Sequence, residues 1–201
     1  MSAPPKHRDA IVDAAVALFR RQGFSGTGLS DIVEKSGAPK GSLYHYFPDG
    51  KTSIAEEAVR EAGRRVADTA RKLAGQTSSA GELLVAHAKL LAGWMEHSGF
   101  RDGCPITTVL LEMAPGHPAI TAAGRESYAA RVRVMTERLI ADGLSAKRAE
   151  RLATLCTAAL QGALIQARVE KSSAPILAAA EELADLLPRT AVARRTKAAT
   201  R

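Results

Sequence analysis

A short polar stretch at residues 40–47 carries side chains suited to contact with nucleic acid. Leu43 and Phe47 can enter a core, and the remaining side chains face elsewhere: Lys40, Gly41, Ser42, Tyr44 and His45. Cations, hydroxyl groups and imidazoles hydrogen bond to phosphates and base edges, and glycine permits close approach of a backbone. This combination predicts a short helix that lies in a groove of DNA.

The residues before this stretch predict a helix and a tight turn. Leu29, Ile32 and Val33 form one apolar face at helical spacing. Gly37 stands where a helix can end in the left-handed region, and Pro39 sets the φ angle for the start of the next helix. The pattern is that of a helix-turn-helix.

An amphipathic helix over about 6–22 precedes it. Gly23 can end this helix, and the hydroxyl group of Thr27 can cap the following one. Three helices are therefore expected to share one core and to present the third outward. The expected core residues are Ile11, Leu18, Phe19, Phe24, Ile32, Val33, Leu43 and Phe47.

Residues 6–66, with the helix-turn-helix at about 28–47, resemble the DNA-binding domain of the TetR family of bacterial transcription regulators. The run GAPKGSLYHYFPDGK, from Gly37 to Lys51, is especially similar to the LmrA/YxaF-like subgroup. The resemblance implies a long helix after Lys51 that connects this head to a body for ligand sensing and dimerisation.

DNA contacts are predicted for seven residues. Gly41 should allow close approach to the major groove, and Ser42 and Tyr44 should lie near base edges. Phosphates should be held by Thr27, Tyr44, His45 and Lys51, and Lys40 faces the same DNA.

The rest of the chain predicts an all-α body at about 79–187, which brings the total to about nine helices. Helical patterns cover about 51–73, 81–97, 105–113, 118–142, 147–169 and 173–187, and strand-like alternation is absent. With 46% hydrophobic residues, the chain of 201 residues can bury a substantial core.

The net charge of +7 is mostly a property of the end of the chain. Residues 1–60 hold eight Lys/Arg and seven Asp/Glu, and residues 61–188 hold fifteen and fourteen, so five charges fall in the last thirteen residues. The tail 188–201 is predicted to be basic and disordered.

The first residues lack the apolar core of a signal peptide, and no apolar run approaches membrane-spanning length. These features predict a cytoplasmic protein. Its two cysteines, Cys104 and Cys156, are then expected to be reduced thiols.

The resemblance implies that the body encloses a cavity for an aromatic or amphipathic small molecule. Its predicted lining is Trp94, Glu112, Met113, Tyr128, Met135 and Gln161. The alternative is that the large side chains among them are ordinary core. Glu112 lies in an apolar segment, so its carboxylate must be paired, neutralised or directed into the cavity. An unpaired Glu112 predicts a preference for cationic ligands, whereas a pair with an internal arginine such as Arg131 predicts a structural role.

The last two helices are predicted to form a four-helix interface in a homodimer that binds palindromic operator DNA. The predicted contact stripe is Leu152, Leu155, Cys156, Ala159, Leu160, Ala163, Leu164, Ile176, Leu177, Ala180, Leu183 and Leu187.

Catalytic motifs are only approximated. The run 50–52 ends like a phosphate-binding loop but lacks its first glycine, and 26–28 begins like a dinucleotide fingerprint but follows a helix. No metal site or cofactor is expected. A repressor released by a small molecule is the favoured prediction, and a helical enzyme or ligand-binding protein with a vestigial DNA-binding head is the alternative.

Overall fold

The computed structural model describes residues 5–188, which form nine α-helices and no strand. The helices are α1 Pro5–Gln22, α2 Leu29–Ser36, α3 Lys40–Tyr46, α4 Lys51–Ala74, α5 Ala80–His97, α6 Pro105–Met113, α7 Pro118–Ala141, α8 Ala146–Glu170 and α9 Ala174–Leu186. The predicted all-α class is confirmed, and the helix bounds follow the predicted ones closely. Except for Pro188, the predicted tail lies outside the described residues.

The chain divides into two compact units. The first contains residues 5–67 and 98–130, and the second contains 68–97 and 131–188. The first break falls near the predicted end of the head at residue 66. Residues 98–130 were predicted as part of the body, but they pack with the head because Ile106 and Val109 of α6 are buried in the same core as α1.

The core of the first unit holds α3 by one face. Leu43 and Phe47 are almost fully buried, together with Phe19 and Ile32. Phe24 packs at the edge of this core, with its ring centre 5.9 Å from that of Phe19. Full burial of one such side chain contributes about 1.5–3 kcal/mol. The predicted core is therefore the observed one, with Leu18 and Val33 partly buried against it.

The start of α2 differs from the prediction. Thr27 does not cap this helix, because its hydroxyl group donates to the carbonyl oxygen of Gly23 at 2.7 Å. Gly28 is the N-cap residue instead, and its amide donates to the carboxylate of Asp31 at 2.8 Å. Gly37 ends α2 with a φ angle of 63°, in the left-handed region that was predicted for it.

In the second unit, α5, α8 and α9 pack against one another. Asp142 fixes the start of α5, because its carboxylate accepts a hydrogen bond from the Ala80 amide at 2.6 Å. The guanidinium group of Arg138 binds the same carboxylate at 3.1 Å. The bond from Asp142 gives a partner to an amide that would otherwise be unpaired at the N-terminus of the helix.

The predicted contact stripe on α8 is wrong in part. Cys156, Leu160, Ala163 and Leu164 are buried within the chain, so they belong to the inner face of the helix. α8 is apolar on its outer face as well, where Leu155 is 48% exposed. Within residues 5–188, α8 is therefore the one helix whose length and apolar composition would be sufficient to cross a membrane. No such run was expected from the sequence.

Candidate nucleic-acid interface

Most of the α3 residues that were predicted to contact DNA are exposed on the outer face of this helix. Lys40, Gly41 and His45 are exposed, and Tyr44 is 49% exposed. Ser42 is half-buried. A Cβ atom at Gly41 would meet no protein atom within 4 Å, so nothing in the described protein requires glycine at this position. The open space at Gly41 allows another molecule to approach the backbone of α3 closely.

A groove of about 300 Å³ lies beside this face. Its lining residues come from α2 and α3: Leu29, Ser30, Val33, Glu34, Lys40, Leu43 and Tyr44. The groove has aliphatic side chains together with a hydroxyl group, a carboxylate and an ammonium group. A surface of this mixture can take the apolar and polar edges of a base pair.

Two of the residues that were predicted to hold phosphates have hydrogen bonds within the chain. Thr27 is 1% exposed, and its hydroxyl group donates to the carbonyl oxygen of Gly23. The ammonium group of Lys51 donates to the carbonyl oxygens of Phe24 and Thr27 at 3.0 and 2.9 Å. It also lies 4.3 Å from the centre of the Phe24 ring. Both polar side chains cross-link the loop between α1 and α2.

Glu112 is bound to the same loop. Its two carboxylate oxygens accept hydrogen bonds from the amides of Phe24 and Ser25 at 2.8 and 2.7 Å. Burial acts to raise the pKa of Glu112, but these amides, the Ser25 hydroxyl group and the charge of Lys51 outweigh it and lower that pKa. Of the predicted alternatives, the carboxylate is the paired one, but its partners are backbone amides of the first unit and not Arg131.

Further bonds join the end of α1 to the segment that contains α6. The hydroxyl group of Thr108 donates to the carbonyl oxygen of Phe19 at 2.9 Å. The Gly103 amide donates to the carbonyl oxygen of Arg20 at 2.8 Å, and the guanidinium group of Arg20 pairs with Asp102 at 3.0 Å. The last turn of α1 is therefore fixed by hydrogen bonds as well as by the apolar core.

The second unit contains a small cavity of about 20 Å³, enough for about one water molecule. Its lining is mostly apolar and includes two basic side chains: Ala70, Leu83, Leu84, His87, Arg131, Val134, Met135, Cys156, Thr157 and Leu160. Burial, with a smaller effect from Arg131, lowers the pKa of His87 to about 4. Burial also raises the pKa of Cys156 to about 11, so this thiol is neutral and unreactive.

Comparison with known proteins assigns both parts of the chain. Residues 11–58 match the model of bacterial regulatory proteins of the tetR family. Residues 80–182 match the C-terminal domain of LmrA/YxaF-like transcriptional regulators, which is half of the chain. The chain belongs to the TetR family.

The relatives of this TetR-family protein include regulators from two organisms. An HTH-type transcriptional regulator of Mycobacterium tuberculosis is 36% identical over 185 residues, which cover 90% of this chain and 93% of that protein. IcaR of Staphylococcus aureus, a negative transcriptional regulator of the biofilm operon icaADBC, is 43% identical over 53 residues, 26% of this chain and 28% of IcaR.

A TetR-family regulator solved with DNA shares the fold. A cysteine mutant of CifR, complexed with 26-base-pair operator DNA, superposes with a TM-score of 0.73 at 22% identity. The match covers 90% of this chain and 96% of that one.

The six residues predicted to line a TetR-type ligand cavity have different environments. In the second unit Met135 lines the small cavity, whereas Trp94 is 45% exposed and Gln161 is half-buried outside the lining. In the first unit Met113 and Tyr128 pack against the core, and the Tyr128 hydroxyl group lies 3.2 Å from that of Thr107.

Sequence reasoning missed the polar residues of this cavity. His87 falls at helical spacing with Leu83, Leu84 and Ala88, which was the available signal that its imidazole is buried. Arg131 had been considered only as a partner for Glu112. Within residues 5–188 no group of His, Cys, Asp and Glu has the arrangement of a metal site, and both cysteines are free thiols.

Proposed function

We propose that this TetR-family regulator is a repressor that binds palindromic operator DNA as a homodimer and is released by a small-molecule effector. The main support for this proposal is the exposed polar face of α3, whose opposite face is anchored in the core by Leu43 and Phe47. Helix-turn-helix proteins place such a helix in the major groove, and a dimer reads two half-sites one helical turn apart. The negative regulator IcaR and the operator-bound CifR support the assignment to repression and to DNA.

On α3 we assign base contacts and phosphate contacts to different residues. Tyr44 and half-buried Ser42 lie near base edges, beside the groove between α2 and α3. Lys40 and His45 are exposed cationic or hydrogen-bonding groups and hold phosphates. Gly41 lets the backbone approach the DNA.

The homodimer forms through the outer face of α8. This face consists of small and apolar residues at helical spacing: Thr154, Leu155, Ala158, Gly162, Ile165 and Val169. Ile165 and Val169 are 54% and 78% exposed, and burial of apolar side chains against a second copy is favourable. Residues without a large side chain allow two helices to approach closely. We place the dimer in the cytoplasm, where operator DNA is accessible.

The effector site is the cavity of the second unit, enlarged when a ligand enters. Its lining has the cationic Arg131 and no Asp or Glu among the described residues, so it favours a neutral or anionic amphipathic molecule. His87 adds no charge near pH 7, because its pKa is lowered to about 4. This reverses the predicted preference for cations, which depended on Glu112. The ligand must bind the DNA-incompetent state more tightly than the competent one, and a coupling of about 1–3 kcal/mol is typical.

Selection of bound sequences from random duplex DNA tests the function. Wild type is expected to enrich a palindrome, and Lys40→Ala should weaken binding to it. Lys89→Ala, which removes an exposed lysine of α5, is the matched control and should bind as wild type does. Enrichment of no sequence by wild type would contradict the proposal and favour the alternative of a vestigial head.

Melting temperatures with matched small molecules test the effector site. Naphthalene carrying a carboxylate, an alcohol or an ammonium group should raise the melting temperature in that order, the carboxylate most. Arg131→Met should remove the advantage of the carboxylate. Stabilisation by the ammonium compound alone would contradict the assignment.

A further inference from the structure

We infer that Glu112 is a positioning residue for operator binding: its carboxylate fixes the loop between α1 and α2, and through that loop the start of α2 and of α4. The inference rests on the proposed function and concerns residues of the first unit alone. The two oxygens of Glu112 accept from two successive amides, those of Phe24 and Ser25, at 2.8 and 2.7 Å. Hydrogen bonds to an ionised acceptor are stronger than neutral ones.

The loop is shaped to receive this carboxylate. Gly23 has a φ angle of 76°, and a Cβ atom there would collide with one carboxylate oxygen of Glu112. Any other residue at this position would displace the carboxylate or the loop. The positive φ angle favours glycine at Gly23, and the absence of a Cβ atom leaves room for the carboxylate of Glu112.

Lys51 holds the same loop from the start of α4. Phe24 is bound on both sides, because Glu112 accepts from its amide and the Lys51 ammonium group donates to its carbonyl oxygen at 3.0 Å. Lys51 also donates to the carbonyl oxygen of Thr27 at 2.9 Å. We call Glu112, Lys51 and the loop residues Gly23–Thr27 the junction. It joins the end of α6, the end of α1 and the first residue of α4.

The junction brackets the helix-turn-helix. Thr27 stands immediately before Gly28, the N-cap residue of α2, and Lys51 follows the turn that ends α3, where the Gly50 amide donates to the carbonyl oxygen of Phe47 at 2.9 Å. A shift of the loop therefore moves both ends of the segment that carries α3. Base contacts depend on short, directional hydrogen bonds, so a small tilt of α3 weakens them, whereas phosphate attraction tolerates it.

Glu112 contributes little to the core itself. Its side chain is exposed at the end of α6, and the core beneath is built from aliphatic and aromatic residues. Removal of the carboxylate should therefore alter the accuracy of DNA recognition more than the stability of the fold.

The main experiment measures binding of the full-length dimer to a selected operator and to a scrambled duplex by fluorescence anisotropy. Glu112→Ala should weaken operator binding roughly tenfold and leave binding to the scrambled duplex unchanged. Glu112→Gln should be intermediate, because an amide can accept a hydrogen bond at only one of its two polar atoms. Glu137→Gln, an exposed carboxylate of α7 with the same change of charge, should match wild type.

Two results would overturn the inference. One is operator affinity of Glu112→Ala within twofold of wild type, and the other is an equal loss on both duplexes, which would indicate unfolding, because removal of a negative charge does not by itself weaken attraction to the phosphates. Failure of the wild type itself to bind any selected operator would instead overturn the proposed function. Hydrogen exchange at the Phe24 and Ser25 amides checks the junction independently of DNA, since both should lose protection in Glu112→Ala.

A double-mutant cycle tests the contact between Gly23 and Glu112. Gly23→Ala should weaken operator binding at least as much as Glu112→Ala, because the new methyl group displaces the carboxylate and the φ angle of 76° is strained for alanine. In the Glu112→Ala background, the same change should cost less than it does in wild type, since the clash is gone and the backbone strain alone remains. Fully additive losses would show that the two residues act separately and would overturn the role of the contact.

Discussion

Helix α3, which we propose enters the major groove, and the junction use similar polar side chains in opposite ways. On α3, Lys40 and Tyr44 are exposed and leave their polar groups to a partner. In the junction, Lys51 and Thr27 direct theirs to carbonyl oxygens of the same chain. The difference follows from the neighbouring backbone, because the loop between α1 and α2 presents amides and carbonyl oxygens that side chains of the same chain bind.

This contrast separates the residues that we propose contact DNA from those that hold α3 in place. Substitutions on the outer face of α3 should change DNA binding without changing stability. Substitutions at buried or internally bonded positions should change stability first.

The inner face of α3 should show the largest loss of stability. Leu43 is 1% exposed, so Leu43→Ala leaves a cavity in the core of the first unit. The free energy of unfolding should fall by about 2–4 kcal/mol. Urea unfolding at fixed protein concentration measures it, with Lys40→Ala on the outer face as the control that should change stability by less than about 0.5 kcal/mol. Equal effects of both would break the division of α3 into two faces.

Burial of His87 should make stability depend on pH. Because its pKa falls from 6.5 to about 4 on folding, the unfolded chain binds the proton more readily, and stability is lost as pH falls from 6.5 towards 4. Between pH 7 and pH 5 the loss should be about 2 kcal/mol. His87→Gln should remove most of this dependence in urea unfolding, whereas His45→Gln, at an exposed position, should leave it intact.

Thr27 should matter to stability by a smaller amount. Thr27→Val keeps the shape of the side chain but loses the hydrogen bond to Gly23, at a cost of about 1 kcal/mol. Ser42→Ala on α3 should leave the free energy of unfolding unchanged and alter which sequences are selected. A change of sequence preference in Thr27→Val without loss of stability would return Thr27 to the DNA interface.

The salt dependence of operator binding distinguishes Lys40 from Lys51, and the expected difference is small. Lys40→Ala should flatten the slope of log affinity against log salt by about one unit, because one phosphate contact is lost. Lys51→Ala should weaken specific binding but leave this slope unchanged, since its ammonium group is bonded within the chain. A flatter slope for Lys51→Ala would show that it contacts a phosphate after all.

The parts of the fold that sequence predicts are those with local causes. Gly37, Leu43 and Phe47 were placed correctly because helix periodicity and backbone preference act over a few neighbouring residues. The partners of Glu112 could not be foreseen, because Phe24 and Ser25 lie 88 and 87 residues away in the chain. A polar residue gives no sequence signal of a distant backbone amide.

Helix α8 shows a second limit. Leu160 and Ala163 were assigned to the dimer interface, but they are buried within the chain, and Ile165 and Val169 are exposed instead. With apolar residues on both faces, periodicity identifies the helix without saying which face a neighbouring helix of the same chain covers. The predicted lining of the ligand cavity failed for the same reason. Of its six residues, Met135 alone lines the cavity of the second unit.

The central claim is that the outer face of α3 reads operator DNA. Anisotropy titration of the variant Lys40→Ala, Tyr44→Ala against an operator selected by the wild type tests it most directly. The claim predicts a loss of operator affinity of more than about a hundredfold, with an unchanged free energy of unfolding. Operator affinity equal to that of wild type would contradict it.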